Sequence, residues 1–256
     1  MKIGSKIFDN GTHVMAIINL TPDSFFAPSR KACDSALFAV ERAVSEGAAV
    51  IDIGAQSTRP GYTEVSAEEE LSRLEKPLTE IKRRFEIPVS VDTYYAEVAR
   101  AALSLGADMI NDIWGLTRTD MAETIAEFSA SVCIMHNSEN PLKGDIWPQI
   151  LGFLEKQTNR ALAAGISKDK ICLDGGIGFA KDRAQNLELL SGYGKLNSLG
   201  YPTLLGASRK SLFGGEVFER LPQTLEATRH ACRVGVRFVR VHDVAENVRA
   251  IKEING

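Results

Sequence analysis

The chain has 256 residues, of which 44% are hydrophobic and 25% are charged, an ordinary composition for a soluble globular protein. Its net charge of -3 at pH 7 argues against nucleic-acid binding and binding to anionic membranes, because both need a basic surface. No apolar run reaches the roughly 20 residues of a membrane span, and the first residues lack the apolar core of a signal peptide. We therefore expect a cytoplasmic protein without nucleic-acid or membrane partners.

Eight short apolar runs recur along the chain, and helical patterns separate them. In chain order they are 13–20, 48–55, 87–93, 107–113, 130–136, 170–176, 201–208 and 237–243. Apolar strands that alternate with helices predict a parallel sheet covered by helices. Eight such units in about 250 residues favour a single (β/α)8 TIM barrel, one domain over residues 1–256. An open flavodoxin-like sheet would use about five strands, and the G-x-G-x-x-G of a dinucleotide fold does not follow the first run.

The helix between the second and third strands has the strongest local signals. Apolar side chains recur every three or four residues from Leu71 to Phe85. Ser66 and Glu69, just before it, have the spacing of a capping box, and the run from Asp243 opens the last helix in a related way. Five glycines follow helical patterns just before a strand, where a left-handed cap needs no Cβ. These are Gly47, Gly106, Gly165, Gly200 and Gly235.

The four cysteines lie far apart and form no C-x-x-C pair, so their spacing predicts neither a zinc site nor a redox motif. Two of them, Cys133 and Cys172, lie inside apolar runs. We expect these two to be small core side chains.

Polar residues occur at nearly every predicted strand end, where the active site of a TIM barrel lies. They are Asn19, Asp52, Asp92, Asn111, Asp112, His136, Asp174, the run 208–210, Arg240 and His242. A lone Asn or Asp at a strand end is more often a turn or helix cap, which is our interpretation of Asp112 and Asp243. His136 is interpreted as a packed histidine. Asp52 lies inside its strand, so a buried ion pair and a substrate contact both stay open.

Cations among these residues suggest a phosphorylated or carboxylated substrate. Arg240 and His242 are two residues apart on a strand, so their side chains leave the same face. Lys210 and Ser211 follow the seventh strand, where a helix N-terminus would attract an anion. Arg59 adds a cation on a proline-containing loop.

Three acceptors, Asp92, Asn111 and Asp174, suit the edge of a heterocycle that carries N–H donors. The same groups could bind a metal, but the absence of a histidine cluster or a D-x-D-x-D spacing disfavours a dedicated protein cage. Magnesium shared with substrate phosphates would still fit, because it keeps most of its waters. No G-x-S-x-G elbow supports a serine hydrolase. The residues thus indicate a barrel enzyme for a polar heterocycle with an anionic group.

Eight segments in the right order resemble the dihydropteroate synthase family nearly end to end. They are NLTPDSF (19–25), IDIGAQSTRPG (51–61), SVDTY (90–94), INDIWG (110–115), IMH (134–136), LDGGIGF (173–179), LLGASRKS (204–211) and RVHDVAENVRA (240–250). The resemblance implies a homodimeric TIM barrel. It also implies that 7,8-dihydropterin-6-ylmethyl diphosphate condenses with 4-aminobenzoate to give 7,8-dihydropteroate and pyrophosphate.

The resemblance also implies roles for the residues that match the family's motifs. The pterin would be bound by Asp92, Asn111, Asp174 and Lys210. The diphosphate would be bound by Asn19, Arg240 and His242, with Mg²⁺ beside Asn19. The aminobenzoate, whose site sulfonamides compete for in the family, would be surrounded by Phe25, Thr58, Arg59, Pro60 and Ser211. The catalytic residues would be Asp92, Lys210 and Asp23.

This chain departs from the family pattern at several positions near the expected site. Ala27 replaces the usual second aspartate of the first loop, Gln56 replaces a glutamate, and Gly175 replaces a proline. The altered first loop keeps open a catalytically silent homologue that binds pterin. A pterin-dependent methyltransferase would share the barrel and an Asp/Asn/Asp pocket. That alternative is disfavoured, because S-T-R-P-G and S-R-K are not expected together in such an enzyme.

Overall fold

The computed structural model describes residues 1–20, 30–56 and 64–255. Two short strands at the start, β1 (Lys2–Ile3) and β2 (Lys6–Ile7), form an antiparallel hairpin that the sequence patterns did not predict. The other strands are β3 (His13–Asn19), β4 (Val50–Gly54), β5 (Val89–Asp92), β6 (Met109–Asp112), β7 (Ser131–Met135), β8 (Ile171–Asp174), β9 (Thr203–Leu205) and β10 (Phe238–Val241). Each lies within one of the eight predicted runs.

These eight strands close into a barrel in the order β10-β3-β4-β5-β6-β7-β8-β9. Every neighbouring pair is parallel, including the β9–β10 pair that closes the ring. Helices cover the outside of the ring. They are α1 (Arg30–Ser45), α2 (Ala67–Arg84), α3 (Ala96–Ser104), α4 (Met121–Glu127), α5 (Ile146–Ala163), α6 (Arg183–Ser191), α7 (Leu221–Arg233) and α8 (Val244–Asn255). The predicted TIM barrel is confirmed.

The helix-end predictions are confirmed in part. All five cap glycines have positive φ angles, from +73° at Gly200 to +98° at Gly47. The Ser66 side chain accepts from the Glu69 N–H at 3.1 Å, but the Glu69 carboxylate pairs with Arg73 instead of closing the capping box. The Asp243 carboxylate likewise accepts from Arg209 Nε at 2.9 Å, so it pairs with a cation next to the site.

The interior of the barrel is apolar at the N-terminal ends of the strands and polar at the other end. One buried cluster fills the apolar end and consists of Ile3, Phe8, Met15, Val50, Met109, Cys133, Cys172, Leu204 and Phe238. Ile3 comes from the β1–β2 hairpin, which therefore packs against this end of the barrel, and the two core cysteines are as predicted. Because alternate residues of a strand share a face, the next inward positions are polar on four strands. These are Asp52, Asn111, Asp174 and Arg240.

None of the helices in the part of the chain that the structure describes is long and apolar enough to cross a membrane.

Candidate active site

Arg240 lies at the centre of the polar end, between two carboxylates from neighbouring strands. Its Nε donates to Asp52 Oδ2 at 2.5 Å, and its Nη2 donates to Asp92 Oδ2 at 2.7 Å. Asn111 Nδ2 donates to the same Asp52 oxygen at 3.3 Å. Asp52 is completely buried and Asp92 is 5% exposed. Of the two interpretations that the sequence left open for Asp52, the structure supports the buried ion pair.

The charges of Arg240 and Asp92 affect each other's pKa. Burial alone would lower the pKa of Arg240, but Asp52 and Asp92 outweigh burial and raise it, so the guanidinium stays charged. Burial raises the pKa of Asp92, and the Arg240 charge opposes that shift. The pair is therefore held together by mutual attraction in a largely buried setting, where bulk water solvates the charges only weakly.

One oxygen of each carboxylate still lacks a donor. Asp52 Oδ1 and Asp92 Oδ1 are buried and make no hydrogen bond to any residue within the described ranges. A buried acceptor without a donor is costly, and a ligand N–H would satisfy it. A Cβ at Gly54 would lie 3.8 Å from Asn19 Oδ1 and 3.9 Å from Asp92 Oδ2, an ordinary contact distance to both. Asn19 and Asp92 thus face the same space at the barrel mouth.

Asp174 lies at the end of β8, and its first oxygen is already engaged. Oδ1 accepts from the Gly176 N–H at 2.8 Å and lies 2.9 Å from the Tyr193 hydroxyl. A Cβ at Gly206 would come within 3.5 Å of Oδ2, so the glycine keeps space beside that oxygen. Burial raises the pKa of Asp174, and Lys210 is the main opposing influence.

Lys210 follows β9 and points toward the loop after β8. Its ammonium donates to the Ile177 carbonyl and lies 4.7 Å from the centre of the Phe179 ring, a cation–π contact. Burial lowers the pKa of Lys210 to about 8, while Asp174 and Asp92 favour its charged form. The lysine is therefore a cation at neutral pH that titrates in the mildly alkaline range.

The predicted helix N-terminus at Ser211 is wrong. Residues Ser211–Phe213 form one turn of 3-10 helix, Ser211 is exposed, and the next α-helix begins only at Leu221. Gly214 and Gly215 follow this turn with positive φ angles, of +70° and +63°. A single 3-10 turn provides only a small dipole, so anion attraction here depends on the Lys210 charge.

His242 directly follows β10, and Arg209 lies in the segment that follows β9. The Ser208 hydroxyl is 3.0 Å from His242 Nδ1 and accepts the His242 backbone N–H at 3.2 Å, so it orients the imidazole. Arg209 has a left-handed backbone, with φ +56°, and its side chain pairs with Asp243. That pairing turns Arg209 toward α8 and leaves Lys210 as the residue of this turn that contacts the β8 loop.

Lys181 is a partly buried lysine that the sequence patterns did not single out, and burial lowers the pKa of its ammonium to about 7. Its ammonium lies 3.0 Å from His136 Nδ1 and donates to the carbonyls of Gly176 at 3.0 Å and Phe179 at 2.9 Å. Burial lowers the pKa of His136 to about 3, so the ring is neutral and accepts from the lysine. His136 is the packed histidine that was predicted. Its position in the loop after β8 could have identified Lys181 as a candidate from the sequence.

An apolar wall flanks the acceptors and was also missed. Tyr94, Ile113 and Met135 form a small buried cluster at the C-terminal ends of β5, β6 and β7, and Trp114 and Phe179 pack against it. Aromatic and apolar side chains beside a row of acceptors suit a planar polar ring. The run INDIWG contained two of these residues, but their packing depends on neighbours from other strands.

Several predicted site residues lie outside the described residues. These are Asp23, Phe25, Thr58, Arg59 and Pro60. Next to the second of these segments, Gln56 Oε1 accepts from the Val65 N–H at 3.1 Å. The glutamine that replaces the family's glutamate therefore bonds to the backbone at Val65.

Glu70, in the first turn of α2, carries a pH-dependent stability prediction. Its carboxyl group is fully buried, and neither oxygen has a hydrogen bond of good geometry within the described ranges. Burial raises the pKa of Glu70 to about 7. The native state therefore keeps this proton longer than the unfolded chain, and its stability falls as pH rises from about 4.5 to about 7. Glu70→Gln should relieve about 3 kcal/mol of destabilisation at pH 8 and almost none near pH 4.5.

Urea denaturation of the variant and the unaltered chain at pH 5 and pH 8 measures this difference. The exposed neighbour Glu68 provides the matched control, since Glu68→Gln should change the free energy of unfolding equally little at both values. A Glu70→Gln gain that does not grow with pH would contradict the prediction.

The described residues contain no group of three or more His, Cys, Asp or Glu side chains that could hold a metal ion. This observation concerns residues 1–20, 30–56 and 64–255 only.

Comparison with known proteins bears on what this site binds. The family described as pterin binding enzymes matches residues 15–242. The dihydropteroate synthase of Clostridium beijerinckii is 44% identical over 98% of this chain and 97% of its own.

Two solved structures match the fold and most of the chain. Clostridium difficile dihydropteroate synthase, determined in the presence of pteroic acid, has a TM-score of 0.94 and 42% identity, covering 97% of each chain. Yersinia pestis dihydropteroate synthase with a sulfonamide drug has a TM-score of 0.93 and 35% identity, covering 100% of this chain and 98% of the other. With a pocket of acceptors, cations and an apolar wall at the barrel mouth, this chain belongs to the pterin-binding enzymes and, within them, to the dihydropteroate synthases, which are transferases of folate biosynthesis.

Proposed function

We propose that this chain joins 7,8-dihydropterin-6-ylmethyl diphosphate to 4-aminobenzoate at the site described above, releasing 7,8-dihydropteroate and pyrophosphate. The observation that carries the proposal is the unsatisfied Asp92 Oδ1. It lies in a row of acceptors beside the Arg240 cation, and Lys210 acts on the same carboxylate. This arrangement matches a substrate with N–H donors on one edge and an anionic group on the other.

The pterin would be bound by Asp92, Asn111, Asp174 and Lys210. The aminopyrimidinone edge carries amino and ring N–H donors, which the two carboxylates and the amide can accept. Lys210 would donate to the carbonyl and ring-nitrogen side. The buried wall of Ile113 and Met135 would pack against the flat ring.

The diphosphate would be bound by Asn19, His242 and Arg240. Two nitrogens of Arg240 donate to Asp52 and Asp92, so its contribution to the diphosphate would come from Nη1 and from the charge of the whole group. His242, whose imidazole Ser208 orients, would contribute its ring to the same anion. Arg240 would thus stabilise both the carboxylates of Asp52 and Asp92 and the departing anion.

A magnesium ion fits this donor set only as an ion shared with the substrate. Asn19 offers one neutral oxygen close to Asp92, and Mg²⁺ commonly takes one or two protein oxygens, with phosphates and water completing the shell. Asn19 would hold it. When bound, the ion would neutralise charge on the leaving pyrophosphate.

The reaction would begin with the departure of pyrophosphate. The bond between the pterin methylene carbon and the diphosphate oxygen breaks, and its electron pair leaves on the pyrophosphate, whose charge the cations stabilise. The carboxylates of Asp92 and Asp174 stabilise the pterin-methyl cation that develops, and Lys210 holds the ring. The aniline nitrogen then forms the new C–N bond and releases one proton. Asp23, in the first loop, would be the other catalytic carboxylate.

The second substrate would lie between the two loops and Ser211. Phe25, Thr58, Arg59, Pro60 and Ser211 would surround 4-aminobenzoate, with Arg59 and Lys210 as the cations nearest its carboxylate. Support comes from the family, in which the Yersinia pestis relative is known in complex with a sulfonamide drug.

We also infer the setting in which the enzyme works. The whole chain, residues 1–256, would form one domain, pair as a homodimer and act in the cytoplasm on small molecules, without nucleic-acid or membrane partners. All four cysteines are free, which fits a reducing compartment.

A pyrophosphate-release assay with both substrates tests the proposal. Turnover should require the pterin diphosphate, 4-aminobenzoate and Mg²⁺ together, should fall after EDTA treatment and return with added Mg²⁺, and should be inhibited competitively by a sulfonamide against 4-aminobenzoate. Binding of the pterin diphosphate without turnover, at saturating 4-aminobenzoate and Mg²⁺, would instead identify a catalytically silent homologue. Methyl transfer from methyltetrahydrofolate to a corrinoid protein would identify a methyltransferase.

A further inference from the structure

Tyr193 is a buried polar side chain that the proposed reaction does not use. It begins the 3-10 segment Tyr193–Leu199 after α6 and is completely buried. Its hydroxyl oxygen lies 2.9 Å from Asp174 Oδ1, accepts the Gly175 N–H at 3.0 Å and contacts the Leu204 carbonyl. The phenol therefore joins the ends of β8 and β9 directly behind a carboxylate of the site.

We propose that Tyr193 is a positioning residue that orients the Asp174 carboxylate for pterin binding, an inference that rests on the proposed function. Tyr193 and the Gly176 N–H occupy Oδ1, whereas Oδ2 borders Gly206, where a Cβ would lie 3.5 Å from it. Fixing one oxygen of a carboxylate fixes the direction of the other. The hydroxyl thus determines where Oδ2 meets a donor of the ligand.

The single proton of the hydroxyl makes this contact sensitive to the charge of Asp174. Tyr193 can donate to Asp174 or to the Leu204 carbonyl, but not fully to both. An ionised carboxylate is the stronger acceptor, so ionisation of Asp174 draws the proton toward Oδ1. The Gly175 N–H satisfies the oxygen in either case, and the proline usual at this position of the family could not supply that donor.

Tyr193→Phe tests the role with the smallest change in shape. Hydrogen bonds to charged groups contribute enough that the variant should bind 7,8-dihydropterin-6-ylmethyl diphosphate about tenfold more weakly. Calorimetry without 4-aminobenzoate measures this, and the KM for 4-aminobenzoate should stay unchanged. Tyr201→Phe is the matched control, because the Tyr201 ring packs against Lys168 before β9, at the opposite end of the barrel. It should bind the pterin as the unaltered enzyme does.

A double-mutant cycle shows whether Tyr193 acts through Asp174. In an Asp174→Asn background, Tyr193→Phe should weaken pterin binding by less than about twofold, because coupled residues are not additive. A full tenfold effect in that background would assign the loss to general packing and overturn the inference.

A second readout is the pH dependence of pterin binding. The titratable and charged groups that act on Asp174 are Lys210, Lys181, Arg240, Cys133 and Tyr193. Of these, only Tyr193 changes in the variant. Its hydrogen bond lowers the pKa of Asp174, so its loss should move the acid limb of pterin binding to higher pH. An unmoved limb would contradict the role.

Should the phenylalanine variant not fold, 3-fluorotyrosine placed at position 193 keeps the inference testable. A more acidic phenol donates a stronger hydrogen bond and should shift the acid limb to lower pH. If the unaltered chain fails to bind the pterin diphosphate, the proposed function falls together with this role. If the unaltered chain binds the pterin diphosphate and both Tyr193 variants bind it equally well, with the same acid limb, only the positioning role is contradicted.

Discussion

Arg240→Met should lower the free energy of unfolding by about 3–5 kcal/mol and abolish pteroate formation. The variant removes the cation that Asp52 and Asp92 share at 2.5 Å and 2.7 Å and leaves two buried carboxylates facing each other. Asp52 is completely buried and Asp92 nearly so, so the cost is that of uncompensated buried charge and not only of a lost contact. Urea denaturation at pH 7.5 measures the change in the free energy of unfolding.

A second change separates stability from activity. Asp52→Asn in the Arg240→Met background removes one of the two repelling charges, so it should restore a substantial part of the lost stability. Turnover should stay absent, because the cation beside the diphosphate is still missing. Recovery of turnover in the double variant would show that Arg240 serves only the fold.

The matched control is an exposed arginine with two carboxylate partners. Arg229 pairs with Glu226 and Glu253, both of which are largely exposed. Arg229→Met should therefore cost no more than about 1 kcal/mol, as surface ion pairs do. A loss at Arg240 as small as that would contradict the description of its pair as buried.

The barrel was predictable because its signal is local and repeated. A buried parallel strand is apolar on both faces, so eight apolar runs separated by helices could be counted without knowing any contact. The location of the site followed from the fold, since strand ends converge at one mouth. Asp92, Asn111, Asp174 and Arg240 could be selected on that basis alone.

The pairing inside the site could not be predicted in the same way. Arg240 and Asp52 are 188 residues apart, and their contact exists because β10, β3, β4 and β5 are neighbours in the closed ring. Tyr193 contacts Asp174 from a helical segment with no strand-end signal. Such contacts depend on register and packing between elements, which a single sequence does not display.

The error at Ser211 has a local cause. In a TIM barrel, a strand that is followed by polar residues usually leads into a helix, and the sequence after the seventh predicted strand has this pattern. Gly214 and Gly215 adopt left-handed conformations that end the turn after three residues, and α7 starts beyond them. The glycines were visible in the sequence, but their φ angles were not.

Lys210→Met should reduce kcat/KM for the pterin diphosphate by about 100- to 1,000-fold, the usual cost of removing one preorganised electrostatic group. Its ammonium acts on both Asp174 and Asp92 and contacts the Ile177 carbonyl. The loss should be large while stability hardly changes, because burial already disfavours the charged lysine and lowers its pKa to about 8. Methionine keeps the length and apolar body of the side chain. The steady-state rate with both substrates measures the loss, and melting temperature checks the fold.

The sign of the pH effect distinguishes Lys210 from a purely structural lysine. The proposed role needs the protonated form, so kcat/KM of the unaltered enzyme should fall as pH rises through about 8. The residual activity of Lys210→Met should lack that limb, since the ammonium whose pKa is about 8 is gone. Lys195, whose ammonium lies 4.5 Å from the Trp147 ring outside the site, is the control, and Lys195→Met should keep both the rate and the limb. A Lys210→Met enzyme within tenfold of the unaltered rate, or with the alkaline limb intact, would remove Lys210 from the pterin site. The acceptor row of Asp92, Asn111 and Asp174 would then have to bind the pterin without a cation opposite it.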